Sequence, residues 1–137
     1  METHILPKDI RLCCFAADSF PDGIVAAFQR LHSSIPNQDG RRVFGLSWPD
    51  GKGSMIYKAA AEERYPGEAE QYGAEAYTLA KGEYIGLDVD NFMDNVTLIG
   101  SAFRQLVDAP GVHPHTMGVE EYLSGTTVRC MVPMAIS

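Results

Sequence analysis

The sequence predicts an α+β fold built from two similar strand–helix–strand–strand units. Three observations lead to this class: a weak internal repeat at an offset of 72 residues, an amphipathic helix pattern in each half, and a strand pair joined by a turn after each helix. The chain has 137 residues, 45% of them hydrophobic, which suits one domain or two small halves that share a core. We expect residues 1–137 to form a single domain with halves at about 8–62 and 76–135 and a connector at 63–75.

The repeat is clearest in the segments that precede the two helices. Aligning residues 11–24 with 83–96 superimposes three identical pairs, after which one inserted residue brings 44–46 over 117–119. The identical pairs are Asp18/Asp90, Phe20/Phe92 and Asp22/Asp94. The order of predicted elements is the same in both halves, so we interpret the similarity as a duplication.

In the first half, residues 10–16 form the predicted first strand and Asp18-Ser19 is expected to cap the following helix. Ile24, Phe28 and Leu31 form its apolar stripe, and the helix is expected to end before Pro36. A turn of Pro, Asp and Gly at 49–53 then joins strands 42–48 and 55–61.

The second half repeats this order with a stronger helix signal. A strand is predicted over 77–89, interrupted at Gly82, with Asp90-Asn91 expected as the helix cap. Apolar residues then recur at 4-3-4-3 spacing, which indicates a helix of about four turns; they are Phe92, Val96, Ile99, Phe103 and Leu106. Strands 117–123 and 127–133 follow, joined through Ser124-Gly125.

Composition and charge exclude several classes of function. The net charge of −7 disfavours binding to nucleic-acid phosphates, and no apolar run approaches the ~20 residues that cross a bilayer. Three cysteines, two of them the adjacent Cys13 and Cys14, fit neither a disulfide framework nor a zinc site, so we expect a reducing, cytoplasmic location. No cofactor is predicted. His113 and His115 lack further candidate ligands, so no metal is predicted either.

The segment 118–123 (Gly-Val-Glu-Glu-Tyr-Leu) is the main candidate for chemistry. Alternation along a strand puts Glu120 and Tyr122 on one face and Val119 on the other. With Val119 assigned to the helix layer, Glu120 and Tyr122 are expected on the opposite face, where a carboxylate beside an aromatic ring would suit a lipophilic cation. The alternative is that Glu120 and Glu121 are simply solvated.

Three aromatic residues of the first strand pair are further candidates. Phe44 and Trp48 share a face of one strand, and Tyr57 lies in its partner, where a buried hydroxyl would need a hydrogen-bond partner. On pattern alone, core packing remains the alternative for Trp48.

Taken together, these segments resemble the GyrI-like (DNA gyrase inhibitor-like) family, which also forms the effector-binding domain of multidrug-responding transcription regulators of the AraC and MerR types. The resemblance covers about residues 8–135. It is carried by Phe44-Gly-Leu-Ser-Trp48, Ile56-Tyr-Lys-Ala-Ala-Ala-Glu62, Tyr77-Thr-Leu-Ala-Lys-Gly-Glu-Tyr-Ile85, the helix at 92–107, Val119-Glu-Glu-Tyr-Leu123 and Val128-Arg-Cys-Met-Val-Pro133.

The resemblance implies an antiparallel sheet with helices on one face, pseudo-twofold symmetry and a ligand cleft between the halves. It implies that Glu120 is the acid facing the ligand, although the tandem Glu120-Glu121 leaves a register ambiguity of one residue. Tyr122, Trp48 and Tyr57 are the implied aromatic neighbours, and Phe44 is expected with them because it shares a strand face with Trp48. The chain leaves no room for the DNA-binding domain of the regulators, so we expect a stand-alone protein.

Three functions follow from this resemblance and the residues. The first is a receptor for amphipathic, cationic small molecules, acting alone or as a homodimer. The second is a hydrolase of strained, cyclopropane-type electrophiles with Glu120 as general base. The third is an acidic inhibitor of a partner such as DNA gyrase, for which the acidic stretch at 62–75 is the only supporting feature.

Overall fold

A computed structural model describes residues 1–37, 39–112 and 116–135 and shows an eight-stranded antiparallel sheet with three α-helices. The strands are β1 (Glu2–Leu6), β2 (Ile10–Ala16), β3 (Val43–Pro49), β4 (Met55–Glu62), β5 (Glu75–Leu79), β6 (Gly82–Asp90), β7 (Gly118–Tyr122) and β8 (Thr127–Pro133). The helices are α1 (Ile24–Ser34), α2 (Glu68–Gln71) and α3 (Val96–Val107). His113 and His115, considered above as metal ligands, lie outside the described residues.

The strand order β1-β6-β8-β7-β3-β4-β2-β5 requires a strongly curled sheet. Only two residues separate β5, at one edge, from β6, which is second from the other edge. Because a residue spans at most ~3.5 Å of chain, the two ends of the sheet must approach each other. A hydrogen bond of 2.8 Å from the Lys81 backbone N–H to Asp9 Oδ1 joins the two connections at this point.

The inner face of the curl holds one apolar core to which all eight strands contribute. Its buried members are Leu6, Ile10, Leu12, Cys14, Phe44, Leu46, Ala60, Leu79, Tyr84, Val119 and Met131. No described helix residue belongs to this core. It therefore closes the curled sheet without the helices.

The helices α1 and α3 pack on the outer face. Ala27 and Leu31 of α1 pack with residues of β2 and β4, and Ala102 and Leu106 of α3 pack with residues of β6 and β8. The central strands β3 and β7 are neighbours in the sheet and antiparallel. The outer surface across this strand pair lies between the two helices.

The helix starts differ from the sequence prediction. Neither Asp18-Ser19 nor Asp90-Asn91 caps an α-helix, because α1 and α3 begin later, at Ile24 and Val96. Asn91 instead precedes a short 3-10 helix at Phe92–Asp94, without a side-chain capping hydrogen bond. Gly23 and Asn95 occupy the cap positions, and neither start has a side-chain capping hydrogen bond. The segments at 17–23 and 91–95, which connect β2 to α1 and β6 to α3, therefore lie outside the two α-helices.

The strands differ from the sequence prediction in two places. The predicted strand at 77–89 is in fact two strands, β5 and β6, which pair at distant positions of the sheet. The strand β1 was not predicted, and it pairs along its whole length with β6. The strands predicted at 10–16 and 127–133 are confirmed.

The connector between the halves is fixed by a buried ion pair. Both outer nitrogens of the Arg41 guanidinium donate to the Glu68 carboxylate at 2.6 Å, and the remaining donors reach the carbonyls of Pro36, Asn37 and Glu62. The pair has 2% side-chain exposure at each partner. It ties α2 to the segment that follows α1, and hydrogen bonding to Arg41 lowers the pKa of Glu68.

We predict that Glu68→Gln lowers the free energy of unfolding by about 3–5 kcal/mol, because it leaves the buried Arg41 charge uncompensated. Since the pKa of Glu68 is lowered by folding, the wild-type contribution is present above the ordinary carboxyl pKa and is lost as the pH falls through the lowered value. Urea unfolding at pH 7 measures the change. Glu70→Gln, at an exposed position of α2, is the control and should change stability by less than about 0.5 kcal/mol; equal effects in the two variants would contradict the prediction.

Candidate functional site

A large apolar cavity lies between α1 and α3 on the outer face of the sheet. Its volume is about 1150 Å³, which is slightly above the ~300–1,000 Å³ usual for small-molecule sites. Helix α1 contributes Ile24 and Phe28 to its walls, and α3 contributes Ile99 and Phe103. The floor is formed by residues of β3, β4 and β7.

Glu120 is a buried carboxylate on this floor, with 9% of its surface exposed. Its Oε1 atom accepts two hydrogen bonds, one from the Tyr57 hydroxyl at 2.9 Å and one from the Tyr122 hydroxyl at 2.6 Å. Burial raises the pKa of both tyrosines, so both remain protonated donors near neutral pH. One carboxylate oxygen thus holds two rings in place.

The second oxygen of Glu120 is open. No hydrogen bond joins Oε2 to any residue of the described ranges. In the same ranges, no fully buried side-chain oxygen lacks a partner, so Oε2 keeps some exposure. Because Glu120 lines the cavity, we expect this oxygen to be accessible to a molecule inside it.

Burial raises the pKa of Glu120, and the hydrogen bonds from Tyr122 and Tyr57 only partly oppose this effect. Desolvation disfavours the charged form, whereas hydrogen bonds to the carboxylate favour it. Because the folded-state pKa exceeds the unfolded value, the contribution of Glu120 to stability is lost as the pH rises through the raised pKa. Ionisation of Glu120 therefore lowers the stability of the free protein.

Three phenylalanines complete an aromatic shell around the carboxylate. Phe20, from the segment before α1, lies 6.0 Å from the Tyr57 ring, and Phe92, from the segment before α3, lies 5.4 Å from the Tyr122 ring. Phe28 of α1 contacts both tyrosine rings, at 6.2 and 5.4 Å between centroids. The residues predicted as helix caps instead belong to segments that place aromatic rings over the site.

Gly45 makes the close approach at the centre of the floor possible. It pairs with Glu120 across β3 and β7 and with Ala59 across β3 and β4. A methyl group built on Gly45 would lie 1.9 Å from the Tyr57 hydroxyl oxygen and 2.9 Å from Glu120 Oε1. The Tyr57–Glu120 hydrogen bond therefore occupies the space that a side chain would fill.

Solved structures share this fold. An integron cassette protein from Vibrio cholerae aligns with a TM-score of 0.69 at 12% identity, over 97% of this chain and 94% of that one. The protein SAV2435, solved with tetraphenylphosphonium bound, aligns with a TM-score of 0.68 at 14% identity, over 97% and 92%. A hydrolase from Listeria innocua aligns with a TM-score of 0.65 at 14% identity, over 98% and 90%.

The fold is that of these proteins. At such low identities the likeness extends to the fold alone. No protein-family model and no curated protein matches the sequence.

The face that carries the site is the reverse of the one predicted. Val119 was assigned to the helix layer, but it belongs to the inner core of the curled sheet. Glu120 and Tyr122 therefore point to the helix side and line the cavity there. The prediction that Glu120 and Tyr122 share one face of the strand and Val119 lies on the other is confirmed. The prediction that Val119 faces the helices was wrong, because the inner core of the sheet is also apolar.

The same alternation places Phe44 and Trp48 away from the cavity. Phe44 is a buried member of the inner core, and Trp48 packs against that core, where its ring meets Tyr77 at 5.4 Å. Neither lines the cavity that contains Tyr57. The structure thus corrects the expectation that they share the cleft with Glu120, because the opposite face of their strand carries the site: Gly45 lies against Tyr57 and Glu120, and Ser47 lines the cavity.

Glu121, the other member of the tandem pair, is bound to Arg42. Its carboxylate forms a two-point ion pair with Arg42, at 2.7 and 2.9 Å. The Arg42 guanidinium lies 5.3 Å above the Phe44 ring, on the inner-core side. Of the tandem glutamates, Glu120 is therefore the one that lines the cavity.

Phe20, Phe28 and Phe92 were not predicted from the sequence to belong to a site. The repeat already aligned Phe20 with Phe92, and this signal could have marked them as equivalent positions outside the core.

Within residues 1–37, 39–112 and 116–135, no three His, Cys, Asp or Glu side chains come together as a metal site requires. Across those same ranges, no helix has the length and apolar character needed to cross a bilayer.

We predict that Gly45→Ala lowers the free energy of unfolding by about 1–3 kcal/mol, because the added methyl group forces the Tyr57 hydroxyl away from Glu120. Thermal or urea unfolding of the variant measures the loss. Gly125→Ala is the control, since nothing lies within 4 Å of a methyl group at that position. A neutral Gly45→Ala would contradict the packing described here.

Proposed function

We propose that this protein is a receptor for amphipathic, cationic small molecules. The observation that carries the proposal is Glu120: a buried carboxylate on the floor of a large apolar cavity, with one oxygen held by two tyrosines and the other open. A cation placed against this carboxylate offsets the cost of ionising it in a dry environment. The apolar body of the ligand would contact the phenylalanine and isoleucine walls.

The aromatic shell supports the same class of ligand. Ring faces attract cations, and several rings around one charge strengthen this attraction when water is excluded. Tyr57, Tyr122, Phe28 and Phe92 lie around Glu120 and line the cavity. The shared fold with a protein that holds tetraphenylphosphonium agrees with this proposal.

The wider proposal is that residues 1–137 form a single GyrI-like domain, related to the effector-binding domains of multidrug-responding regulators. Its halves, at about 8–62 and 76–135, would be duplicated units related by a pseudo-twofold axis. The sheet order supports this, because β6-β8-β7 and β2-β4-β3 occupy corresponding positions on the two sides of the β3–β7 pair. The cavity would then lie between the duplicated helices.

We predict that tetraphenylphosphonium binds the wild-type protein and raises its melting temperature. The affinity should increase as the pH rises through the raised pKa of Glu120, because the ionised carboxylate is the form that attracts the cation. Glu120→Gln should weaken binding by at least about tenfold, as expected when a buried charge pair is lost. The variant should also lose the pH dependence. Calorimetric titration between pH 5 and pH 8 measures both effects.

Glu70→Gln is the matched control, because it removes the same charge from an exposed position of α2. It should bind the cation as the wild type does. If Glu120→Gln and the wild type bind equally well, or if neither binds, the receptor proposal fails.

A second candidate is hydrolysis of a strained electrophile, which the raised pKa and the open oxygen of Glu120 favour. A carboxylate with a raised pKa is a better general base than an ordinary one. In this role Glu120 would accept a proton from a water molecule as that water attacks a ring carbon, while the strained C–C bond breaks and its electron pair passes to the electron-accepting group of the substrate. Turnover of a cyclopropane-type alkylator that disappears in Glu120→Gln would support it, and turnover that survives the substitution would exclude Glu120 as the base.

The acidic-inhibitor alternative receives no support from the connector. Three of the five glutamates in the acidic stretch at 62–75 are paired with cations: Glu63 with Arg11, Glu68 with Arg41 and Glu75 with Lys58. Such pairing leaves little concentrated negative charge to imitate nucleic acid.

A further inference from the structure

Two hydrogen-bond acceptors on the cavity floor have no partner in the described part of the chain. One is Oε2 of Glu120, described above. The other is the hydroxyl oxygen of Ser47, which is buried, lines the same cavity and forms no hydrogen bond with the residues of the described ranges. Ser47 lies two residues from Gly45, the residue opposite Glu120, so both acceptors are on the same face of adjacent strands.

Both tyrosine hydroxyls are already committed to Oε1. Tyr57 and Tyr122 each donate to that one atom, so neither satisfies Oε2. A ligand that fills the cavity would displace the water that can otherwise reach Oε2 and the Ser47 hydroxyl. If the ligand removes this water and offers no hydrogen bond in its place, the binding free energy becomes less favourable, and the loss is largest for a charged acceptor.

We infer that the site selects cations that carry N–H donors, namely protonated amines, over quaternary ammonium or phosphonium ions of similar size and shape. This inference rests on the proposed receptor function and names the class of cation within it. A protonated tertiary amine donates its one N–H to Glu120 Oε2. A protonated primary amine has further N–H groups, and we expect one of them to donate to the Ser47 hydroxyl, which lies on the same face of the adjacent strand.

The selectivity follows from the difference between a charge contact and a charge-assisted hydrogen bond. A quaternary ion meets the carboxylate through methyl or phenyl groups, so it gains attraction but leaves Oε2 without a hydrogen bond. A site with a dedicated acceptor discriminates strongly against an analogue that lacks the donor. A charge-assisted hydrogen bond corresponds to a difference in affinity of about tenfold or more.

The test is calorimetric titration of the wild-type protein with two matched cations, 3,3-diphenylpropyl-dimethylammonium and 3,3-diphenylpropyl-trimethylammonium, at a pH where both are charged. They differ by one N–H against one methyl group. The added methyl favours the quaternary ion by the hydrophobic effect. We expect the dimethyl compound to bind at least about tenfold more tightly despite this.

Ser47→Ala tests the second acceptor. It should lower the affinity for 3,3-diphenylpropylammonium, which has three N–H donors, several-fold more than the affinity for the dimethyl compound, which has one. Its melting temperature without ligand checks that the variant is folded. Equal losses for the two compounds would remove Ser47 from the proposal.

Two outcomes separate the inference from the function on which it rests. If the trimethyl compound binds as tightly as the dimethyl compound, or more tightly, the selectivity is overturned while the receptor function stands. If neither compound binds, the receptor function is overturned and the inference falls with it. Because the comparison uses only the wild-type protein, it does not depend on any variant folding correctly.

Discussion

The pair of hydrogen bonds that Tyr57 and Tyr122 donate to one oxygen of Glu120 is the interaction on which the site depends. It joins β4 to β7 across the bare backbone of Gly45 in β3, and so fixes the middle of the sheet between the two helices. A carboxylate is expensive to bury, and these two bonds offset only part of that cost. The remaining cost is what a bound cation would relieve.

The fold makes such a site possible by separating its core from its cavity. The curled sheet closes on an inner core drawn from every strand, so its outer face does not have to be filled completely. Each of the two long helices then divides its apolar stripe. In α3, Ala102 and Leu106 are buried against the sheet, whereas Ile99 and Phe103 are only partly buried against the same cluster and also line the cavity. The segments before the helices supply Phe20 and Phe92 in place of helix caps.

The sequence predicted the local structure and the principal side chain better than the assembly. Period-two alternation correctly grouped Glu120 with Tyr122, and the 4-3-4-3 pattern located the helix that became α3. Which face met the helices could not be read from Val119, because both faces of β7 are buried and alternation does not distinguish them. Trp48 and Phe44 were misplaced for the same reason. The strand β1 and the separation of β5 from β6 depend on pairing between distant segments, which local patterns do not report.

The most direct test of this account is the pKa of the Glu120 carboxyl itself, followed by carbon-13 NMR of glutamate-labelled protein and assigned by comparison with Glu120→Gln. The account predicts a value clearly above the ordinary glutamate value of about 4.3 in the free protein. It also predicts a downward shift when an amphipathic cation is bound, because the cation stabilises the ionised form. An ordinary pKa that does not respond to such a cation would contradict the central claim.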